Sequence, residues 1–133
     1  MNSVTTHPKP RVLGVGIDPI FGDFSTLPGL TPELIRATID AQIERLRTLG
    51  YEAESCLVDL GESAEQTVES VLRSRTFDCV VIGAGLRESP ERLLLFEKII
   101  NLVHMLAPQS RIAFNRTPAD TAEAAQRWIK RGD

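Results

Sequence analysis

The sequence predicts a three-layer α/β/α fold on a four-stranded parallel sheet in the order 2-1-3-4, a flavodoxin-like arrangement. Three observations point there. First, short β-rich runs alternate with helical patterns along the chain, which implies parallel strands joined by crossover helices. Second, the runs at 11–17 and 78–83 are apolar on both faces, as central strands covered by two helical layers must be. Third, hydroxyl–proline pairs stand where the helical patterns begin, so the strand-to-helix boundaries are marked by chemistry as well as by propensity. Right-handed crossovers limit the topologies that remain. A Rossmann-type order, 3-2-1-4, is the alternative.

The elements follow in order. "RVLGVGI" (11–17) is the first strand. A helix comes next, because Leu34, Ile35, Ile39, Ile43, Leu46 and Leu49 recur at helical spacing and Gly50 suits the position just past its end. "EAESCLVDL" (52–60) alternates more and ends polar, as an edge strand does. Val68, Val71 and Leu72 mark a second helix, with Ser63 and Gln66 spaced as a capping box. "DCVVIG" (78–83) is the third strand, a helix is expected over 90–107, "RIAFN" (111–115) is the fourth strand, and a last helix is expected over 118–131. Thr31-Pro32, Ser89-Pro90 and Thr117-Pro118 are the three capping pairs. Residues 1–10, polar and bearing prolines, read as a flexible tail before a single domain over 11–133.

Composition narrows the function classes. The chain has 133 residues, enough for one domain with one core. A formal net charge of −3 and the lack of a basic stripe argue against nucleic acid as a partner. No apolar run approaches the ~18 residues of a membrane span, and no signal peptide is evident, so the cytoplasm is the expected compartment. Cys56 and Cys79 lie in strand patterns and read as small buried hydrophobes. No metal motif is present, and nothing in the sequence names a cofactor.

In open α/β sheets, ligands bind beyond the carboxyl ends of the strands, where the strand order reverses. In order 2-1-3-4 that point falls between strands 1 and 3. The loops there carry Gly16 and Asp18, Gly83 and Gly85, and Arg87; Asn115, Arg116 and Thr117 follow strand 4 alongside. Gly83 and Gly85 either bring backbone close to a ligand or only make a tight turn, since "GAGLRE" lacks the third glycine of a dinucleotide fingerprint and no lysine completes a phosphate loop. Arg87 and Arg116 either converge on a phosphate or carboxylate or pair with nearby acids at the surface. Asp18 and Asp59 end strands 1 and 2 and are the candidates for acid–base work, with a turn-forming role as the alternative for Asp18. Asp23 lies in the long 18–30 loop, where Phe21, Phe24 and Leu27 supply apolar bulk, and Gly22 and Gly29 flexibility, for a lid or for packing on the helical layer. His104 falls mid-helix and reads as a surface histidine.

The 90–107 helix carries apolar residues around about half its circumference, which suggests a homodimer packed through it. The edge of strand 4 also invites cover.

In element order the chain resembles flavodoxin- and receiver-type small α/β proteins over most of its length. Their functional residues do not carry over. Gly16-Ile17-Asp18 and Gly83-Ala84-Gly85 stand where receivers have an acidic pair and a phospho-accepting aspartate, and the receiver's fifth strand and lysine are absent. "GIDPIFGDF" offers no Ser/Thr-rich loop for a flavin phosphate. The runs "VVIGAGLR", "LLLFEKIIN" and "IAFNRTP" resemble those of small uncharacterised bacterial α/β proteins, which implies no activity. The expected function is binding of a small anionic metabolite at the carboxyl edge of the sheet. The alternatives are a homo-oligomeric interaction module using the 90–107 helix, or a small hydrolase or isomerase using Asp18 or Asp59.

Overall fold

The computed structural model describes residues 8–22 and 29–130. Strands β1 (Arg11–Ile17), β2 (Glu52–Val58), β3 (Cys79–Ile82) and β4 (Arg111–Phe114) form one all-parallel sheet in the order β2-β1-β3-β4, so the flavodoxin-like order holds and the Rossmann-type alternative does not. Five α-helices are described: α1 (Pro32–Thr48), α2 (Ser63–Ser74), the short α3 (Ala84–Arg87), α4 (Leu93–Leu106) and α5 (Thr121–Trp128). The expected tail lies outside the described residues up to position 7, but Pro10 already belongs to the sheet margin, its carbonyl accepting from Glu52 N at 2.9 Å.

Alternation along β1 and β3 divides the core in two. Leu13, Val15, Val80 and Ile82 face α2 and α4, meeting Val68, Leu72, Ile99 and Val103. Val12, Cys79 and Val81 face α1 and α5, meeting Leu46 and three buried alanines, Ala122, Ala124 and Ala125. The small side chains let α5 lie close on the sheet beside Ala113. Its ends are tied down: Gln42 Oε1 of α1 accepts from Ala122 N at 2.9 Å, and the Tyr51 hydroxyl donates to the Ile129 carbonyl at 2.9 Å.

The helix ends test the capping pairs one by one. Thr31 accepts from Leu34 N at 3.1 Å and Pro32 opens α1, as the sequence predicts. At the other end Gly50 adopts φ 100°, Gly50 N donates to Arg47 O, and Tyr51 N donates to Leu46 O. This is a Schellman motif, closed by contact between buried Tyr51 and Leu46. Thr117 accepts from Ala119 N, and Asp120 reaches back to Thr117 N, forming a capping box.

Two expected caps fail. Ser89 makes no capping bond; its hydroxyl turns to Glu91, a 3-10 turn over Pro90–Arg92 intervenes, and α4 starts only at Leu93. Ser63 is not the cap of α2 but its first residue, and its hydroxyl donates to the Asp59 carboxylate. The expected 118–131 helix is a 3-10 turn, Pro118–Asp120, followed by the shorter α5.

The broad apolar surface of α4 is mostly consumed within the molecule. Leu95, Phe96, Ile100, Leu102 and Leu106 pack against the α2-side core, leaving Leu93, Leu94 and Met105 exposed. The β4 edge is short, and Arg127 Nη2 donates to its Phe114 carbonyl at 2.8 Å, which covers one of the open acceptors. Among the described residues no helix is long and apolar enough to cross a membrane.

Both cysteines are buried and unpaired with each other. Burial, helped by the charge of Glu54, pushes the Cys56 thiol up to about 11. Burial and the nearby Asp78 push Cys79 up to about 12. A folded-state value raised above the unfolded one makes a contribution that is full below the unfolded value and fades as pH rises toward the folded one. Stability is therefore expected to fall between about pH 9 and 12, and replacing both thiols by alanine should flatten part of that fall. Urea midpoints measured at about pH 8 and about pH 10.5 check this; an equal loss in the cysteine-free variant counts against it.

Candidate functional site

The carboxyl tips of β1, β3 and β4 lie side by side. Gly83 N donates to Val15 O at 2.8 Å and Asn115 N to Ile82 O at 3.4 Å, extending the ladders by one step past the strands. A Cβ on Gly83 would stand 3.3 Å from Val15 O and 3.4 Å from Gly16 Cα, closer than a neighbouring strand backbone comfortably allows. Glycine is thus favoured here by the approach of β1. Its own φ of −70° is open to any residue.

Above these tips lies a cleft of about 600 Å³, within the usual range for small-molecule sites. Gly16, Asp18, Gly83, Gly85, Asn115 and Arg116 all contribute to its wall, as does Thr117. Seven of the eight sequence-selected positions are therefore gathered around one opening.

The eighth, Arg87, is not. Its guanidinium turns away from the cleft, donating through Nη2 to the Asn115 carbonyl and lying 5.3 Å over the Phe114 ring. Its Nε is buried with no hydrogen-bond partner among the described residues. The expected convergence of Arg87 with Arg116 does not occur. Arg87 leads out of α3, and the last turn of that helix aims it at the end of β4 rather than at the strand tips.

Several wall residues are occupied by the fold itself. Asn115 is buried; its Oδ1 accepts from Ala84 N at 2.8 Å and its Nδ2 donates to the Thr121 hydroxyl at 3.0 Å. One amide thus joins the end of β4 to the starts of α3 and α5. Thr117 is held by its cap. Asp18 accepts from Ile20 N at 3.1 Å and so shapes the 3-10 turn Pro19–Phe21, the turn-forming alternative. Asp59 accepts from Gly61 N at 3.0 Å and from Ser63, and it does not line the cleft. Its pairing with the arginines as an acid–base group therefore has no geometric support. His104 is exposed on α4, as expected. Of the suggested lid, Phe21 is described, exposed at the end of the 3-10 turn Pro19–Phe21, while Asp23, Phe24 and Leu27 lie outside the described residues.

What sequence reasoning missed is the cleft's inner half. Gly14, two residues before Gly16, faces the same side of the sheet, and Ile35, Ile39 and Ile43 of α1 stand opposite. Glycines at period 2 in one strand, matched with isoleucines at i, i+4 and i+8 in the next helix, were the available signal. Arg92 was also missed; it lines the cleft while its Nη1 donates to Gly85 O at 2.9 Å. Arg116 alone among the cleft's cations has no guanidinium partner among the described residues.

No group of three His, Cys, Asp or Glu side chains among the described residues is placed to hold a metal ion. No family model matches the chain, and no curated protein matches it.

Gly83→Ala should destabilise the fold by roughly 1–3 kcal/mol, because the added methyl presses on the backbone of a central strand packed on both faces. Gly14→Ala is the control: its Cβ would lie 3.9 Å from the nearest atom, Ile43 Cδ1, an ordinary contact. Chemical denaturation of the two variants side by side decides the point, and equal midpoints would refute the close-approach argument.

Proposed function

We propose that the protein binds a small anionic molecule in the cleft at the carboxyl edge of the sheet. The observation that carries this reading is the cleft itself, seated where the strand order reverses between β1 and β3 and lined by the Arg116 guanidinium, which has no partner among the described residues. A guanidinium fork suits a carboxylate or phosphate. Arg87 is dropped from the expected ligand set because its head is used inside the fold. Asp18 borders the opening but serves the turn that follows β1, so catalysis has less support than binding.

The test is a thermal-shift screen with phosphate, citrate and a panel of small carboxylates. A compound that binds only the folded state raises the melting temperature in proportion to the logarithm of its concentration over Kd. Arg116→Ala should remove most of the shift. A shift of the same size in that variant rejects Arg116 as the anion contact.

Self-association through α4 is a second reading, favoured by the exposure of Leu94 (62%) and Met105 (72%) on one side of that helix. Lys98 and Asn101 lie between them, so the apolar surface is broken rather than continuous. Light scattering across a wide concentration range checks it: a dimer should revert to monomer in Leu94→Glu/Met105→Glu, and a wild-type monomer throughout removes the idea.

A further inference from the structure

We infer that the ligand carries an aliphatic chain behind its anionic head, and that this chain lies in a slot between α1 and the sheet. The inference rests on the cleft reading above and names the class of molecule it takes.

The slot follows from the sheet register. On the α1 side, Gly14 sits between Ser55 of β2 and Val81 of β3. One step nearer the strand tips, Gly16 pairs with Leu57, and Gly83 follows on the other side. Two successive rows of the sheet thus have no side chain at their centre, where Val12 in the row below is fully buried under Leu46. A trough results, open at the strand tips and closed at its inner end.

The roof matches the floor. Ile35, Ile39 and Ile43 fall on one face of α1, yet only Ile43 is buried; Ile35 and Ile39 stay partly exposed toward the trough. Of the seventeen residues of α1, only Ile43 and Leu46 are buried, so the first half of the helix stands off the sheet. A stripe of isoleucines at i and i+4 facing unfilled space is apolar surface that a ligand would remove from water. Among the described residues no aromatic side chain lines the cleft, whose helical wall is aliphatic. Ser55 is the polar residue of the inner row, and the other polar groups, Arg116 among them, follow the strand ends. Asp18, Glu88 and Glu91 are also at the rim, so an amine head is the competing chemistry and the experiment includes it.

The probes are acetate, butanoate, hexanoate and octanoate, with octylamine and octanol as controls, titrated calorimetrically into the full chain. Affinity should rise about fourfold for each methylene that enters the slot. Gly16→Val fills the trough; a Cβ there would lie 3.8 Å from Leu57 Cδ2, an ordinary contact, and a β-branched residue suits a strand. Ile39→Ser strips the roof at a half-exposed site. Both variants should flatten the dependence on chain length, and Arg116→Ala should weaken octanoate and leave octanol unaffected.

Acetate and phosphate binding with no gain from chain length would overturn the aliphatic inference while leaving the anion site standing. Octylamine or octanol binding as tightly as octanoate would overturn the anionic head while leaving the slot. A chain-length dependence that survives in both variants would place the chain elsewhere and overturn the inference as well.

Discussion

The structure turns on the contact between the backbones of β1 and β3 at their carboxyl ends. Gly83 N reaches Val15 O at 2.8 Å, and a side chain there would begin 3.3 Å from that carbonyl and 3.4 Å from Gly16 Cα. The two central strands run together to their tips most easily because Gly83 has no Cβ to press on β1. Everything at that edge is placed from this junction. The chain leaves it directly into α3, whose first amide is received by Asn115 from the neighbouring strand. Asn115 in turn holds Thr121 at the start of α5. A buried amide left with one of these partners missing would cost on the order of 1–3 kcal/mol, so the three connections stand or fall together.

The polar residues around the opening divide by what they are committed to. Asp18 and Asp59 shape turns, Thr117 caps, Asn115 bridges three elements, and Arg87 is folded against Phe114 and a carbonyl. Such groups give a loop edge its rigidity, because each satisfies backbone or buried donors that would otherwise be unpaired. Among the described residues the charged side chains at the cleft left without a partner are the Arg116 guanidinium and the Glu88 carboxylate, beside a large share of aliphatic surface.

The two sides of the sheet are built unequally, and the inequality sits in alternate residues of one strand. Toward α2 and α4, β1 presents Leu13 and Val15, and the helices pack down on them. Toward α1 it presents Val12, then Gly14 and Gly16, so the packing is tight at the inner end and loosens toward the tips. The same alternation that makes a strand two-faced therefore produces a closed core on one face and a tapering cleft on the other.

The element order, the parallel sheet and its 2-1-3-4 arrangement were legible in the sequence, because hydrophobic period and proline-bearing caps are local signals that survive without knowledge of neighbours. Thr31, Thr117 and Gly50 behave as their local chemistry dictates. Ser63 and Ser89 do not, because a hydroxyl with two partners in reach goes to the one that tertiary placement supplies, Asp59 in one case and Glu91 in the other. The location of the opening was legible too, since it follows from strand order alone. What only the folded molecule decided is which residues face it. Arg87 and Arg116 look equivalent along the chain, each past the end of a strand, yet one is turned inward by the helical turn that carries it and the other has no side-chain partner among the described residues. The apolar inner half was likewise invisible, because Gly14, Gly16 and the α1 isoleucines become a cavity only when strand and helix are laid face to face.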